Sequence, residues 1–347
     1  MSEPAMTTLT AGQPLEPPHY PVGRRTITLV DAARDGRTLA VDLWYPAAPS
    51  DAEPSVYEVF PGVAFAAATA QHDAPASVGR FPLVLLSHGR TGMRISYSLV
   101  CEALAARGAV VVSSEHPGDT LFDWLTGAQS DDRTNEVNRV ADAHLVLDAL
   151  LERHPAVPAD VAAAMDNDRV ALAGHSYGAY NAFAVAAGSR GVAAHPAVRA
   201  VIGFQAYTRS MSDALLARVT VPALLIVSEN DQVTPAAVDT DRPWALLGGP
   251  TWRLDLAGAG HQAVSDIALY AELADHVPDL PDLVRDYLHF TAAGTQEAHG
   301  RGWREVEQLQ VAAAWAFLQV ALDMDVAAGN AAAAALGALS GLTLAQR

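Results

Sequence analysis

Apolar and polar positions along the chain fall into a repeating rhythm. FPLVLLSHG (81–89) is a continuous apolar run that ends in glycine. Without alternation, such a run suits a strand buried on both faces. A helical stretch follows at 95–107 and stops at Arg107-Gly108, a C-cap signal. GAVVVSSEHPG (108–118), RVALAGHSYGA (169–179), RAVIGFQAY (199–207), VPALLIVSEND (221–231) and TWRLDLAGAGH (251–261) repeat the strand theme. Helical stretches around 137–153, 178–188, 211–217 and 236–247 alternate with them. The pattern predicts βαβ units: a mostly parallel central sheet flanked by helices. Ahead of it, RRTITLV (24–30) and RTLAVDLWYP (37–46) flank the turn-like DAARDG and predict an antiparallel hairpin.

No repeat or low-complexity linker splits residues 23–325, which are expected to form one domain. Residues 1–22, rich in Pro, Thr and Ala, read as a flexible arm, and 326–347 as an Ala-rich tail or helix. Two stretches interrupt the rhythm, 116–138 and 266 to about 302. Each follows the C-terminal end of a strand, where open α/β sheets place ligands. They are expected to be lid-like insertions whose aromatics Phe122, Trp124, Tyr270 and Tyr287 wall a pocket.

Composition narrows the function classes. Half of the 347 residues are hydrophobic, enough for one large core. The chain carries 22 basic and 39 acidic residues, a net charge of −17. Such a surface repels phosphate backbones and anionic headgroups, so nucleic acid is excluded as an expected partner. The single cysteine, Cys101, sits in an apolar helical stretch and reads as a buried thiol without a disulfide. The N-terminus has no basic start and no apolar run, and the apolar segment near 311–329 is broken by Asp323 and Asp325. A cytoplasmic protein with no stable membrane insertion is the expectation.

Gly174-His175-Ser176-Tyr177-Gly178 matches G-x-S-x-G. An apolar strand runs into it and a small-residue helix leaves it, the setting of a nucleophile elbow. The serine occupies a sharp turn, so the positions two before and two after must lack bulk. A serine hydroxyl needs a base within reach, and in this chain order an acid and then a histidine follow. Of 12 histidines, His261 lies in a Gly-rich turn after the last strand and is the expected base. Glu229, Asp231 and Asp213 compete to orient it. Asp213 lies deep in a helical stretch. Glu229 and Asp231 are two residues apart and would face the same way on a strand. The loop composition after Asn230 favours Asp231. Backbone N–H groups of Tyr177 and Arg90 are the expected oxyanion donors. His175 is expected to pack beside the elbow, and His88 to orient the loop beneath Arg90.

FPLVLLSHGRTGMRISYSLVCEALAARGAVVVSSEHPGDT, GHSYG and GHQAVSD, with the earlier YPVGRRTITLVD and LWYP, resemble the platelet-activating-factor acetylhydrolase group of the α/β-hydrolases. The resemblance covers most of residues 20–320. It implies an α/β-hydrolase fold and a Ser-His-Asp carboxylic ester hydrolase with neither metal nor organic cofactor, acting on short or oxidised acyl chains. Bacterial relatives of similar pattern include dienelactone-hydrolase-like and polyester-cleaving esterases. One position departs. The animal acetylhydrolases carry the acid after the strand that follows the nucleophile helix, where this chain has Gln205. The acid is therefore expected one strand later, at Asp231, and a phospholipid substrate does not carry over.

Hydrolysis of a small carboxylic or lactone-like ester is the leading expectation. Acyl transfer or lactone formation would use the same triad with a hydroxyl in place of water. A non-catalytic binding protein would retain the fold without needing Ser, His and Asp together. No H-x-x-x-H spacing points to a metal hydrolase.

Overall fold

A computed structural model describes residues 19–60, 63–277, 280–294 and 302–347. Its strands are β1 (Val22–Asp31), β2 (Arg37–Pro46), β3 (Pro54–Phe60), β4 (Val63–His72), β5 (Phe81–Ser87), β6 (Val110–Ser114), β7 (Met165–His175), β8 (Val198–Phe204), β9 (Ala223–Ser228), β10 (Thr251–Leu256) and β11 (Leu342–Gln346). They form one sheet in the order β11-β10-β9-β8-β7-β5-β6-β2-β1-β4-β3. The central strands from β6 to β10 are parallel. Successive side chains of β5 to β9 enter two different cores, whereas β10 sends Trp252, Leu254 and Leu256 into only one of them. Val84, Leu86, Ala171 and Ala173 join one, while Leu83, Leu85, Val170 and Leu172 join the other. This is why the strands read as unbroken apolar runs. Helices Ser98–Ala106 and Trp303–Ala321 bury residues in the first core, and helices Asp132–Leu151 and Tyr177–Ala187 in the second.

Chain order sets the position of the site. From β5 the chain steps outward to β6, then crosses to β7 on the other side of β5. The C-terminal ends of β5 and β7 therefore flank a topological switch point, where the loops diverge and leave a crevice. Several boundaries differ from the pattern-based ones. The run 169–179 stops being a strand at His175, and the helix begins at Tyr177. The stretch 236–247 is two short helices, Ala236–Asp239 and Asp241–Leu246. Residues 116–138 hold a capped helix, Leu121–Thr126, and the first turns of helix Asp132–Leu151. The second insertion holds helices Ile267–Ala274 and Asp282–Ala292, and its residues 278, 279 and 295–301 lie outside the described ones.

Two regions extend the sheet beyond the strands that the apolar pattern predicts. Hairpin β3–β4 buries Tyr57 and Val59 while Val56 and Glu58 face out, a two-residue period over a very short run. At the other edge, of the two alternatives expected for residues 326–347, a tail or a helix, the structure shows a helix followed by a strand. Helix Val326–Gly337 packs so closely on helix Trp303–Ala321 that a Cβ at Gly329 would lie 2.6 Å from the Ala316 carbonyl oxygen. Strand β11 then pairs antiparallel with β10, from Trp252↔Gln346 to Leu256↔Leu342. The domain thus runs past residue 325. At the N-terminus, residues 1–18 lie outside the described ones. His19 and Tyr20 already donate to the Ala106 carbonyl, both at 3.0 Å, and Val22 opens β1. No helix among the described residues is long and apolar enough to cross a membrane.

A chain ended after Asp325 loses the cover on β10 and the apolar contacts of Ala333, Leu336 and Leu342. We expect it to aggregate or to unfold at a clearly lower temperature, because an uncovered strand edge invites intermolecular pairing. Thermal scans and light scattering decide this, and an unchanged Tm in a monodisperse sample would make the segment peripheral.

Candidate active site

Ser176 lies between the end of β7 and helix Tyr177–Ala187, with φ 53° and ψ −117°. A non-glycine residue holds such a backbone only when its surroundings enforce it. Two hydrogen bonds do so: Ser176 N–H donates to the Phe204 carbonyl (3.0 Å), and the Ser176 carbonyl accepts from Tyr207 N–H (3.0 Å). The flanking glycines are sterically required. A Cβ on Gly174 would come within 2.2 Å of Gly178, and one on Gly178 within 2.0 Å of the Ser87 carbonyl oxygen.

Two strands away, the loop after β9 presents Asp231. Its Oδ1 accepts from Val233 N–H and Thr234 N–H, both at 2.8 Å. Its Oδ2 lies 2.7 Å from His261 Nδ1 and 2.6 Å from the Thr234 hydroxyl. Burial alone would raise the Asp231 pKa. The bond from His261, its charge and the Thr234 contacts outweigh burial and pull it down to about 2. Asp231 is therefore a carboxylate at working pH. It takes the proton-bearing Nδ1 and leaves Nε2 of His261 as the free acceptor. Backbone bonds lock the β9 and β10 loops together. Glu229 N–H donates to the Leu256 carbonyl at 3.0 Å, and Asn230 N–H to the Ala259 carbonyl at 2.9 Å.

The competing acids are engaged elsewhere. Glu229 accepts from Gly258 N–H at 2.8 Å, and Asp213 pairs with Arg242 at 2.8 Å. Gln205, at the position where the resembling family has its acid, donates to Ser228 Oγ (2.9 Å) and Gln310 Oε1 (3.1 Å). His175 is a buried bridge. Its Nε2 faces the His261 carbonyl at 2.8 Å, so Nε2 must carry the proton, and its Nδ1 accepts from the Tyr97 hydroxyl at 2.7 Å. Burial, then the neighbouring His261, depress its pKa to about 3, so it stays neutral.

Ser176 and His261 line one cavity of about 320 Å³, together with Gly89, Arg90 and Tyr97. A larger hollow of about 680 Å³, lined by Arg24, Arg94 and Phe122, touches neither Ser176 nor His261, so we assign the smaller one as the site. Of the four aromatics expected to wall the pocket, Tyr270 and Tyr287 do so. Phe122 faces the larger hollow instead. Trp124 stacks on Tyr287 with ring centroids 5.5 Å apart and so braces one insertion against the other. Val59 of β3 also lines the cavity, a contribution invisible without the hairpin. Arg139 is a further residue that the motifs do not reveal. It is fully buried on helix Asp132–Leu151 and bonds to the loop after β5. The available signal is a charge in phase with Val140, Ala143 and Leu147 on the buried stripe. Among the described residues, no group of three or more His, Cys, Asp or Glu is arranged to hold a metal ion.

The sheet order and the strand–turn–helix at Ser176 are those of the α/β-hydrolase fold. A family model described as chlorophyllase matches residues 68–213. A ferulic acid esterase from Streptomyces cinnamoneus superposes with a TM-score of 0.66 at 24% identity, over 92% of this chain and 94% of that one. Neither description is the platelet-activating-factor acetylhydrolase group, so that subgroup remains a likeness of sequence.

The depressed pKa of His175 has a stability consequence. Unfolded, the imidazole titrates near ~6.5; folded, it does so only near about 3. Between those values the unfolded state binds the extra proton, so stability falls as pH drops through that window and is level above it. Denaturant titrations from pH 7 to 4 should show the decline, and His175→Asn should make it shallower, the remainder coming from His88 and His116, whose pKa values burial also lowers. An equal slope in both proteins would refute the assignment.

Proposed function

We propose that this chain hydrolyses a small carboxylic ester through Ser176, His261 and Asp231. The observation that carries the reading is the conjunction of a strained serine and a carboxylate-held imidazole on one cavity. An esterase among the structural neighbours supports it. In the proposed course, Ser176 Oγ attacks the ester carbonyl carbon while His261 Nε2 takes the hydroxyl proton. The carbonyl oxygen becomes an oxyanion, which accepts from the backbone N–H groups of Tyr177 and Arg90. Neither N–H is taken up by a protein acceptor among the described residues. The intermediate collapses, the C–O bond to the alcohol breaks, and His261 returns the proton to the leaving oxygen. Water then attacks the acyl-enzyme by the same proton path, releasing the acid and restoring Ser176. Asp231 remains ionised and fixes the imidazole tautomer throughout.

Ser176→Ala is expected to lower kcat by roughly 10³- to 10⁶-fold while the protein stays folded. Asp231→Asn should cost at least ~10²-fold, since it permits the wrong tautomer. Glu229→Gln, which alters only the contact to Gly258, should cost far less. Steady-state kinetics on p-nitrophenyl butyrate check all three. A Ser176→Ala variant with more than about a tenth of wild-type activity would sink the proposal.

A cavity of about 320 Å³ lies at the small end for ligand sites, which span ~300–1,000 Å³. Short acyl groups are therefore expected to react with higher kcat/KM than long ones. A series of p-nitrophenyl esters from acetyl to palmitoyl tests this, and a palmitoyl optimum would contradict it.

A further inference from the structure

We infer that Arg139 is a positioning residue that sets the oxyanion site by holding the loop after β5 from behind. The inference rests on the reading of Ser176 as nucleophile. Arg139 Nη1 donates to the His88 carbonyl at 2.6 Å and Nη2 to the Gly89 carbonyl at 3.1 Å. The Gly89 carbonyl also accepts from His88 Nδ1 (2.7 Å) and Gly92 N–H (3.2 Å). In a trans peptide the C=O and the following N–H point in opposite directions. Three donors on the Gly89 oxygen therefore turn the Arg90 N–H the other way, out of the loop's interior.

The same bonds choose between the loop's two N–H groups. Gly89 N–H is already spent on the Tyr97 hydroxyl at 3.3 Å, whereas Arg90 N–H has no protein acceptor among the described residues. Arg139 also reaches the second donor. Its guanidinium carbon lies 5.1 Å from the Tyr177 ring centroid, and that of Arg90 lies 4.8 Å from it. One buried cation thus fixes the peptide that supplies one donor and packs on the residue that supplies the other. Asp119 holds the cation in place through Oδ2, 2.8 Å from Arg139 Nε, with both side chains 1% exposed. A cation on the Gly89 oxygen further polarises that peptide, which strengthens its N–H as a donor to negative charge.

Such a residue acts on the transition state and hardly on substrate binding, which separates it from a merely structural one. The test uses full-length Arg139→Lys and Arg139→Gln, p-nitrophenyl butyrate, and a trifluoromethyl ketone that Ser176 converts to a bound oxyanion. We expect Arg139→Gln to lower kcat by about 10²-fold, the loss typical of one oxyanion donor, with KM little changed. Affinity for the trifluoromethyl ketone should weaken in parallel with kcat/KM, and Arg139→Lys should recover part of both. Asp119→Asn, which loosens the anchor but preserves its shape, should show the same split to a smaller degree. It also decides the matter if neither Arg139 variant folds. Folded variants with wild-type kcat, or losses confined to KM, overturn the inference alone. Failure of a fluorophosphonate to label Ser176 in the wild type overturns the proposed function, and this inference with it.

Discussion

The close approach of the nucleophile turn to β5 is the constraint on which the rest of the site depends. Gly178 sits where any side chain would strike the Ser87 carbonyl, and Gly174 where one would strike Gly178. Only with both positions bare can helix Tyr177–Ala187 start directly over the end of β5. That crossing forces Ser176 into its positive-φ conformation, a state that costs of order 1–3 kcal/mol for a residue with a side chain. The bonds to Phe204 and Tyr207 hold it there. Strain of this size is small beside the two apolar cores that pin the strand and helix on either side. The serine is thereby presented at the switch point rather than folded back onto the sheet.

Around this turn the protein buries several pairs of charges. Arg24 pairs with Asp42, Arg37 with Asp142, and Arg139 with Asp119, most of these groups lying almost out of solvent. Asp266, in the loop after His261, accepts from the N–H and hydroxyl of Ser98, both at 2.6 Å. It thereby caps helix Ser98–Ala106, which follows the loop after β5. Burial raises its pKa to about 7, against the pull of the Ser98 bonds. Desolvation makes buried pairs poor sources of net stability, yet removing one partner is costly, about 3–5 kcal/mol. Their effect here is geometric. They tie the β1–β2 hairpin, helix Asp132–Leu151 and the loop after β5 into positions that a purely apolar contact would define less sharply.

The turn at Ser176 is legible in the sequence because it depends on local rules. A glycine two before and two after a serine, between an apolar run and a small-residue run, is a steric requirement written in neighbouring positions. The proposed choice of Asp231 over Glu229 turns on the same kind of rule: Glu229, the first residue after β9, bonds to Gly258, while Asp231 lies further into the loop and meets His261. What escapes is non-local. Hairpin β3–β4 shows its two-residue period over too few residues to stand out from a loop. Strand β11 gains its identity from pairing with β10, far away in the chain. Arg139 looks like an ordinary helical arginine until its three-dimensional partners, His88 and Gly89, are known.

The division between legible and illegible follows a division of labour in the molecule. The proposed catalytic groups follow the ends of parallel strands, whose register aligns His175 with Phe204 and Ser228 with Leu256. The cavity lined by Ser176 and His261, by contrast, is closed by elements outside the parallel sheet. Val59 comes from the edge hairpin, Tyr270 and Tyr287 from the second insertion, and Trp124 of the first insertion braces Tyr287. Trp124 and Tyr287 meet through ring stacking, whereas Val59 is held by the β3–β4 ladder. A change in Tyr287 would therefore reshape the cavity wall without moving Ser176, His261 or Asp231. Under the proposed function, substrate choice is separable from reactivity, since Tyr270, Tyr287 and Trp124 lie on insertions outside the sheet whose strand ends present Ser176, Asp231 and His261.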